Sequence, residues 1–186
     1  MPPRKKARPR SIDTSLGILI DDHQAQTQMG INIHLLGTGT NGLDDEAAIH
    51  VTDSMLSLRG TCIHPEDRAG ERFDVSLFAS TPREHGLNLR IKDLHASDAN
   101  GSPRYAKRRG ILEPVYVEPP PVARMRKIRG ENAWEVYIRA EPQMITHGLL
   151  ILAAYKPVYL TIHERRVSRK REVRSLGLQT TYPAEE

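Results

Sequence analysis

Three short stretches decide the fold class: SMLSL at residues 54–58, RFDVSL at 72–77 and GLNLRI at 86–91. In each, apolar residues recur at every second position: Leu56 and Leu58, then Phe73, Val75 and Leu77, then Leu87, Leu89 and Ile91. A period of two sets those side chains on one face of a strand, against a core, and leaves the polar ones between them in water. Turn residues separate the runs, HPEDRAGE at 64–71 and TPREHG at 81–86, so consecutive antiparallel strands are predicted.

Outward from this block the pattern is uneven. Residues 16–20 and 31–36 read as short apolar strands separated by the polar 21–28, which leaves 15–48 the least defined segment. Residues 95–110 read as a polar loop ending in a basic cluster, Pro114 confines 111–117 to an edge, and Glu118 with three prolines makes a stiff connector. Residues 124–128 and 133–140 form a hairpin about the turn at 129–132. Met144, Ile145, Leu149, Leu152 and Ala153 fall on one side at a period of 3.6 and Pro142 suits a first turn, which predicts one short helix over 142–154.

The last pair of strands has a specific register. Residues 158–167 and 171–181 pair so that Leu160 faces Leu178, Ile162 faces Leu176, Glu164 faces Arg174 and Arg166 faces Glu172. Two apolar pairs and two opposite-charge pairs then share one face. Ser168, Arg169 and Lys170 make the turn, without the Gly or Asn that a left-handed position prefers. The fold expected is mainly β, with antiparallel sheets in a sandwich or open-barrel arrangement, one short helix and a protruding C-terminal hairpin. It is a single β-rich domain over 15–181 with core strands in 49–164 and the basic-tipped hairpin at 158–181. A disordered basic tail over 1–14 and a short tail at 182–186 flank it.

Composition limits the alternatives. Thirteen Pro and thirteen Gly interrupt the chain too often for a helix bundle. One Cys excludes an intramolecular disulfide and fits a reducing compartment, cytoplasmic, or nuclear in a eukaryote. The longest apolar run, 149–155, is too short for a bilayer, and no signal-peptide core follows the basic N-terminus, so a soluble protein without a membrane partner is expected.

The net charge of +4 hides a division. Residues 4–10 carry +5, residues 11–103 carry −8 and residues 104–186 carry +7. Such asymmetry calls for a partner of opposite sign, a nucleic acid or the acidic surface of a protein, another copy of this chain included. Two segments concentrate the bases. Arg104, Lys107, Arg108 and Arg109 surround Tyr105, offering cations to phosphates and a flat ring to an unstacked base. Arg165, Arg166, Arg169, Lys170, Arg171 and Arg174 collect at the tip of the C-terminal hairpin, and a two-stranded ribbon suits the DNA major groove or RNA phosphates.

Chemistry-bearing motifs are sparse. GTGTNG at 37–42 fits G-x-G-x-x-G, but only about two helical turns follow before β-like alternation, so it reads as a glycine-rich surface turn. HLLGTG at 34–39 resembles the opening strand of metallo-β-lactamase-fold enzymes, whose H-x-H-x-D-H motif is absent, so the resemblance implies no metal. The eight histidines lack ligand spacing, and His64, Glu66 and Asp67 are adjacent only in sequence. No catalytic residue, metal or cofactor is therefore expected. The function read from sequence is a non-enzymatic nucleic-acid-associated protein. The alternative is an assembly or interaction subunit that uses its oppositely charged halves, and a third is an enzyme whose site is spread over distant segments.

Overall fold

Alternation in the sequence becomes the wall of a barrel. The computed structural model describes residues 11–31, 50–81 and 90–183. Its elements are β1 (Ser11–Ile31), β2 (His50–His64), β3 (Arg72–Thr81), β4 (Tyr105–Arg108), β5 (Ile111–Pro114), β6 (Ala123–Lys127), β7 (Ala133–Arg139), α1 (Pro142–Ala154), β8 (Tyr159–Val167) and β9 (Lys170–Gln179). The described chain forms two compact units, one spanning Met1–Arg83 and Pro121–Glu186, the other Glu84–Pro120.

In the first unit seven strands close in the order β1-β2-β3-β7-β6-β9-β8. The fold is mainly β, as the alternation predicts. Closure removes both sheet edges wherever every strand has two neighbours. All neighbours are antiparallel except β3 and β7, which run parallel from Arg72↔Ala133 to Phe78↔Arg139. Inward positions follow the period of two: Leu16 and Ile18 on β1, Leu56 and Leu58 on β2, Phe73, Val75 and Leu77 on β3, Val136 and Ile138 on β7, Leu160 and Ile162 on β8. Each of these is at most 5% exposed, and full burial of one such side chain contributes about 1.5–3 kcal/mol.

Each end of the barrel is closed differently. At one end α1 lays Ile145, Gly148 and Leu152 on the core. Gly148 permits the approach, because a Cβ there would lie 3.0 Å from Leu56 Cδ2. At the other end the short 3-10 turn Glu66–Arg68 between β2 and β3 turns an arginine inward. Arg68, 7% exposed, donates to Glu71 and, through Nη1 at 3.0 Å, to Glu164, which also accepts from Arg171 Nη1. Trp134 lies in the same cluster: its Nε1 donates to Glu71 at 3.0 Å, and the Arg68 and Arg171 guanidinium carbons sit 5.4 and 4.8 Å from its ring centre. Two cations thus meet two carboxylates over aromatic faces, the condition under which buried charge is tolerated. Burial alone pulls the Arg68 guanidinium down, but its bonds to Glu71 and Glu164 more than offset this and hold it above the ordinary arginine value.

Several expectations are corrected. The polar residues 21–28 are not a break: β1 runs through them, paired to β2 from Asp22↔Arg59 to Ile31↔His50. An extra residue at Asp21 bends the strand there, where Gly60 lets Leu19 O come so close that a Cβ would meet it at 2.3 Å. β1 also begins at Ser11, within the stretch read as a tail. Ile91 belongs to a 3-10 turn, Ile91–Leu94, and is 73% exposed, so it is not an inward strand residue; Leu87 and Leu89 lie outside the described residues, as do residues 1–10 and the glycine-rich stretch at 37–42. The helix is present, but Met144 and Ala153 face out and Gly148 takes the buried position between Ile145 and Leu152.

Candidate nucleic-acid interface

The C-terminal hairpin is built into the barrel wall instead of protruding. β8 pairs with β1 from Ser11↔Val167 to Leu19↔Tyr159, and β9 pairs with β6 from Ala123↔Val173 to Met125↔Arg171. The predicted register holds for Leu160↔Leu178 and Ile162↔Leu176, then shifts by one at an irregularity between His163 and Glu164. Beyond it Glu164 faces Val173, Arg165 faces Glu172 and Arg166 faces Arg171, so the two expected charge pairs do not form. The shift sets Val173 instead of Arg174 opposite Glu164, which points inward toward Arg68 in step with Leu160 and Ile162, and no sequence pattern marks it. It also shortens the turn to Ser168 and Arg169, with Ser168 left-handed at φ 59.

These changes divide the six hairpin bases. Arg165 Nε donates to Asp13 on β1 at 2.8 Å, Arg171 is held by Glu164, and Arg174 Nη1 lies 3.9 Å from Glu172. All three are only partly exposed. Arg166, Arg169 and Lys170 are exposed at the rim, with Arg166 Nε donating to the Ser168 carbonyl. The sequence already sets Glu164 and Glu172 among these bases; folding adds Asp13.

The other cluster lies in the unit spanning Glu84–Pro120, and there the predicted loop is a hairpin. Tyr105↔Pro114 through Arg108↔Ile111 pair β4 with β5. Arg109 at φ 50 and Gly110 at φ 89 form the two-residue turn, both left-handed as a tight hairpin requires. Pro114 falls on an edge, as predicted, because a two-stranded sheet has only edges. Backbone bonds extend the pairing: Val115 N–H to Arg104 O at 2.9 Å, Arg104 N–H to Ala96 O at 2.7 Å, and Ala96 N–H to Val115 O at 2.7 Å. Asp98 Oδ1 accepts from the Asn100 and Ser102 N–H groups and fixes the preceding turn.

On this hairpin Arg104, Tyr105, Lys107, Arg108 and Arg109 are all exposed, Tyr105 at 58%. The register sets Tyr105 and Lys107 on one face, with Pro114 and Leu112 opposite them, and Arg108 on the other with Ile111. The carboxylate on the ribbon is Glu113, 3.9 Å from Arg108 Nε with both side chains in solvent, a pair worth at most about 1 kcal/mol. Four cations and a flat ring therefore stand in water on one short ribbon. The sequence did not reveal that Ile111 and Leu112 beside them are also exposed, at 66% and 69%.

Of the groups weighed for chemistry, Glu66 and Asp67 are exposed on the 3-10 turn and His64 is half-buried at the end of β2. Among the described residues no group of three or more His, Cys, Asp or Glu side chains is placed to hold a metal ion. No helix among them is long and apolar enough to cross a membrane. Comparison with protein-family models, with curated proteins and with solved structures finds no match.

Proposed function

We propose that the protein is a non-enzymatic nucleic-acid-associated protein that holds phosphates on the β4–β5 ribbon. The observation that carries this reading is the exposed Tyr105 among Arg104, Lys107, Arg108 and Arg109, with Glu113 only weakly engaged beside them. Exposed cations attract phosphates, and an exposed ring stacks with a base of any identity, so a single strand is the preferred form. Arg166, Arg169 and Lys170 are a second set of exposed bases, on the barrel rim.

The test is a binding titration of single-stranded and duplex oligonucleotides at several salt concentrations. Changing Lys107, Arg108 and Arg109 to Ala together should flatten the slope of log affinity against log salt by about 2 for a single strand, close to 0.7 per lost contact. Tyr105→Ala should weaken single-strand binding by about 1–3 kcal/mol while Tyr105→Phe does not. Equal binding by the triple variant and the parent protein would remove the proposal. A second reading, an interaction or assembly subunit, is favoured by Ile111 and Leu112, which phosphate binding does not use; Leu112→Ser would then abolish partner capture and leave nucleic-acid affinity unchanged.

A further inference from the structure

Past its bend at Asp21, β1 is paired on one side. β2 pairs with it from Asp22 to Ile31, but β8 stops at Leu19, and the last backbone bond on that side is Ile20 N–H to Val158 O at 3.0 Å. Among the described residues nothing pairs with the other edge of residues 22–30, and every residue from Asp21 to Gly30 is exposed. Natural edges are blunted by Lys, Pro or a bulge within the strand. Residues 23–30, HQAQTQMG, contain none of these.

The side chains favour one occupant. His23 and Ala25 pair with Leu58 and Leu56, which point inward, so Asp22, Gln24, Gln26, Gln28 and Gly30 form the outward row. An antiparallel copy overlapping residues 22–30 completely is centred on Gln26. It sets Gln26 opposite Gln26, Gln24 opposite Gln28, and Asp22 opposite Gly30. A carboxamide both donates and accepts, so a glutamine meeting a glutamine is always complementary. A parallel copy would stack Asp22 on Asp22, which like-charge pairing disfavours. The fit holds at the ends as well: a cavity of about 270 Å³ separates Asp22 and His23 from Tyr155, Lys156 and Pro157, and the incoming residue there is Gly30, which has no side chain.

We propose that residues 22–30 of β1 pair antiparallel with the same residues of a second copy about a two-fold axis at Gln26, joining two barrels through one continuous sheet. The contact is isologous and closes at two chains. In the full chain, Gln24→Lys together with Gln28→Lys sets an introduced lysine against an introduced lysine at two places in the contact, and should weaken dimerisation at least about tenfold in sedimentation or light scattering. Both changes lie on an exposed strand, so the variant should stay folded, its melting temperature falling only by what dimerisation itself contributes. Mixing that variant with Gln24→Glu plus Gln28→Glu should restore a dimer that neither forms alone. Gln26→Cys should form a disulfide-linked dimer on mild oxidation and Gln24→Cys should not, because only position 26 meets itself. A parent protein that sediments as a single chain throughout, or a lysine variant that dimerises like the parent, overturns the proposal. Neither result bears on the phosphate ribbon.

Discussion

Replacing Glu164 by glutamine removes one charge from the barrel's closed end and almost no volume. Glu164 is 2% exposed and accepts from both Arg68 and Arg171. After the change Arg171, about one-fifth exposed, can turn toward water, whereas Arg68 stays buried with Glu71 as its counter-charge. Removing one partner of a buried ion pair costs about 3–5 kcal/mol, and the retained Glu71 places this case near 3. For a chain of this length that is a fall in Tm of about 6–12 °C. Urea unfolding followed by Trp134 fluorescence measures it, with an unchanged m-value showing that the unfolded state is the same. Glu172→Gln is the control, because its 3.9 Å contact with the partly exposed Arg174 should be worth less than about 1 kcal/mol. A loss from Glu164→Gln no larger than that of the control refutes the view that this network holds the barrel end.

Three further outcomes are expected. Gly60→Ala should destabilise by about 3 kcal/mol, since its methyl group meets the Leu19 carbonyl oxygen, a backbone atom that cannot rotate away; a thermal melt within one degree of the parent contradicts this. Ser168→Gly should raise the urea midpoint by up to about 1 kcal/mol of stability, because φ 59 is free of strain for glycine, and a lower midpoint counts against the two-residue turn. Burial pushes the Cys62 thiol up from 9.0, so the unfolded chain ionises first. The stability this group contributes is then complete below pH 9 and lost as pH rises above it, by up to about 1.4 kcal/mol per unit. Parallel pH-stability curves for the parent and Cys62→Ala above pH 9 would show that the thiol is not shielded.

What was legible in the sequence is what a single buried face writes into it. Leu56, Leu58, Phe73, Val75 and Leu77 alternate because one face meets the core, and Leu160 and Ile162 found their partners for the same reason. The outer half of β1 has water on both faces, so residues 21–28 carry no alternation and read as a break. The irregularity after His163 costs no apolar residue its place and leaves no trace in the pattern, yet it brings Val173 instead of Arg174 to the interior opposite Glu164. An arginine in a turn reads as solvated, and only the folded chain brings Glu71 and Glu164 to Arg68. The bases of the candidate interface were legible as residues but their neutralisation was not, since Asp13 reaches Arg165 across the closure of the barrel. The ribbon under Tyr105 was readable in principle from Arg109-Gly110, a tight-turn pair hidden among charges.

That closure also governs how the chain reaches its native state. Ser11 pairs with Val167, and β3 must meet β7 in parallel across the whole Glu84–Pro120 unit. Contacts so distant in sequence demand loop closure before any reward, which places folding in the range of about milliseconds to seconds instead of microseconds. On the ribosome the inward row of β1 has nothing to pack against on its β8 side until nearly the last strand has been made. The nascent barrel therefore passes through an open sheet whose first strand must be kept from strangers while it waits for β8.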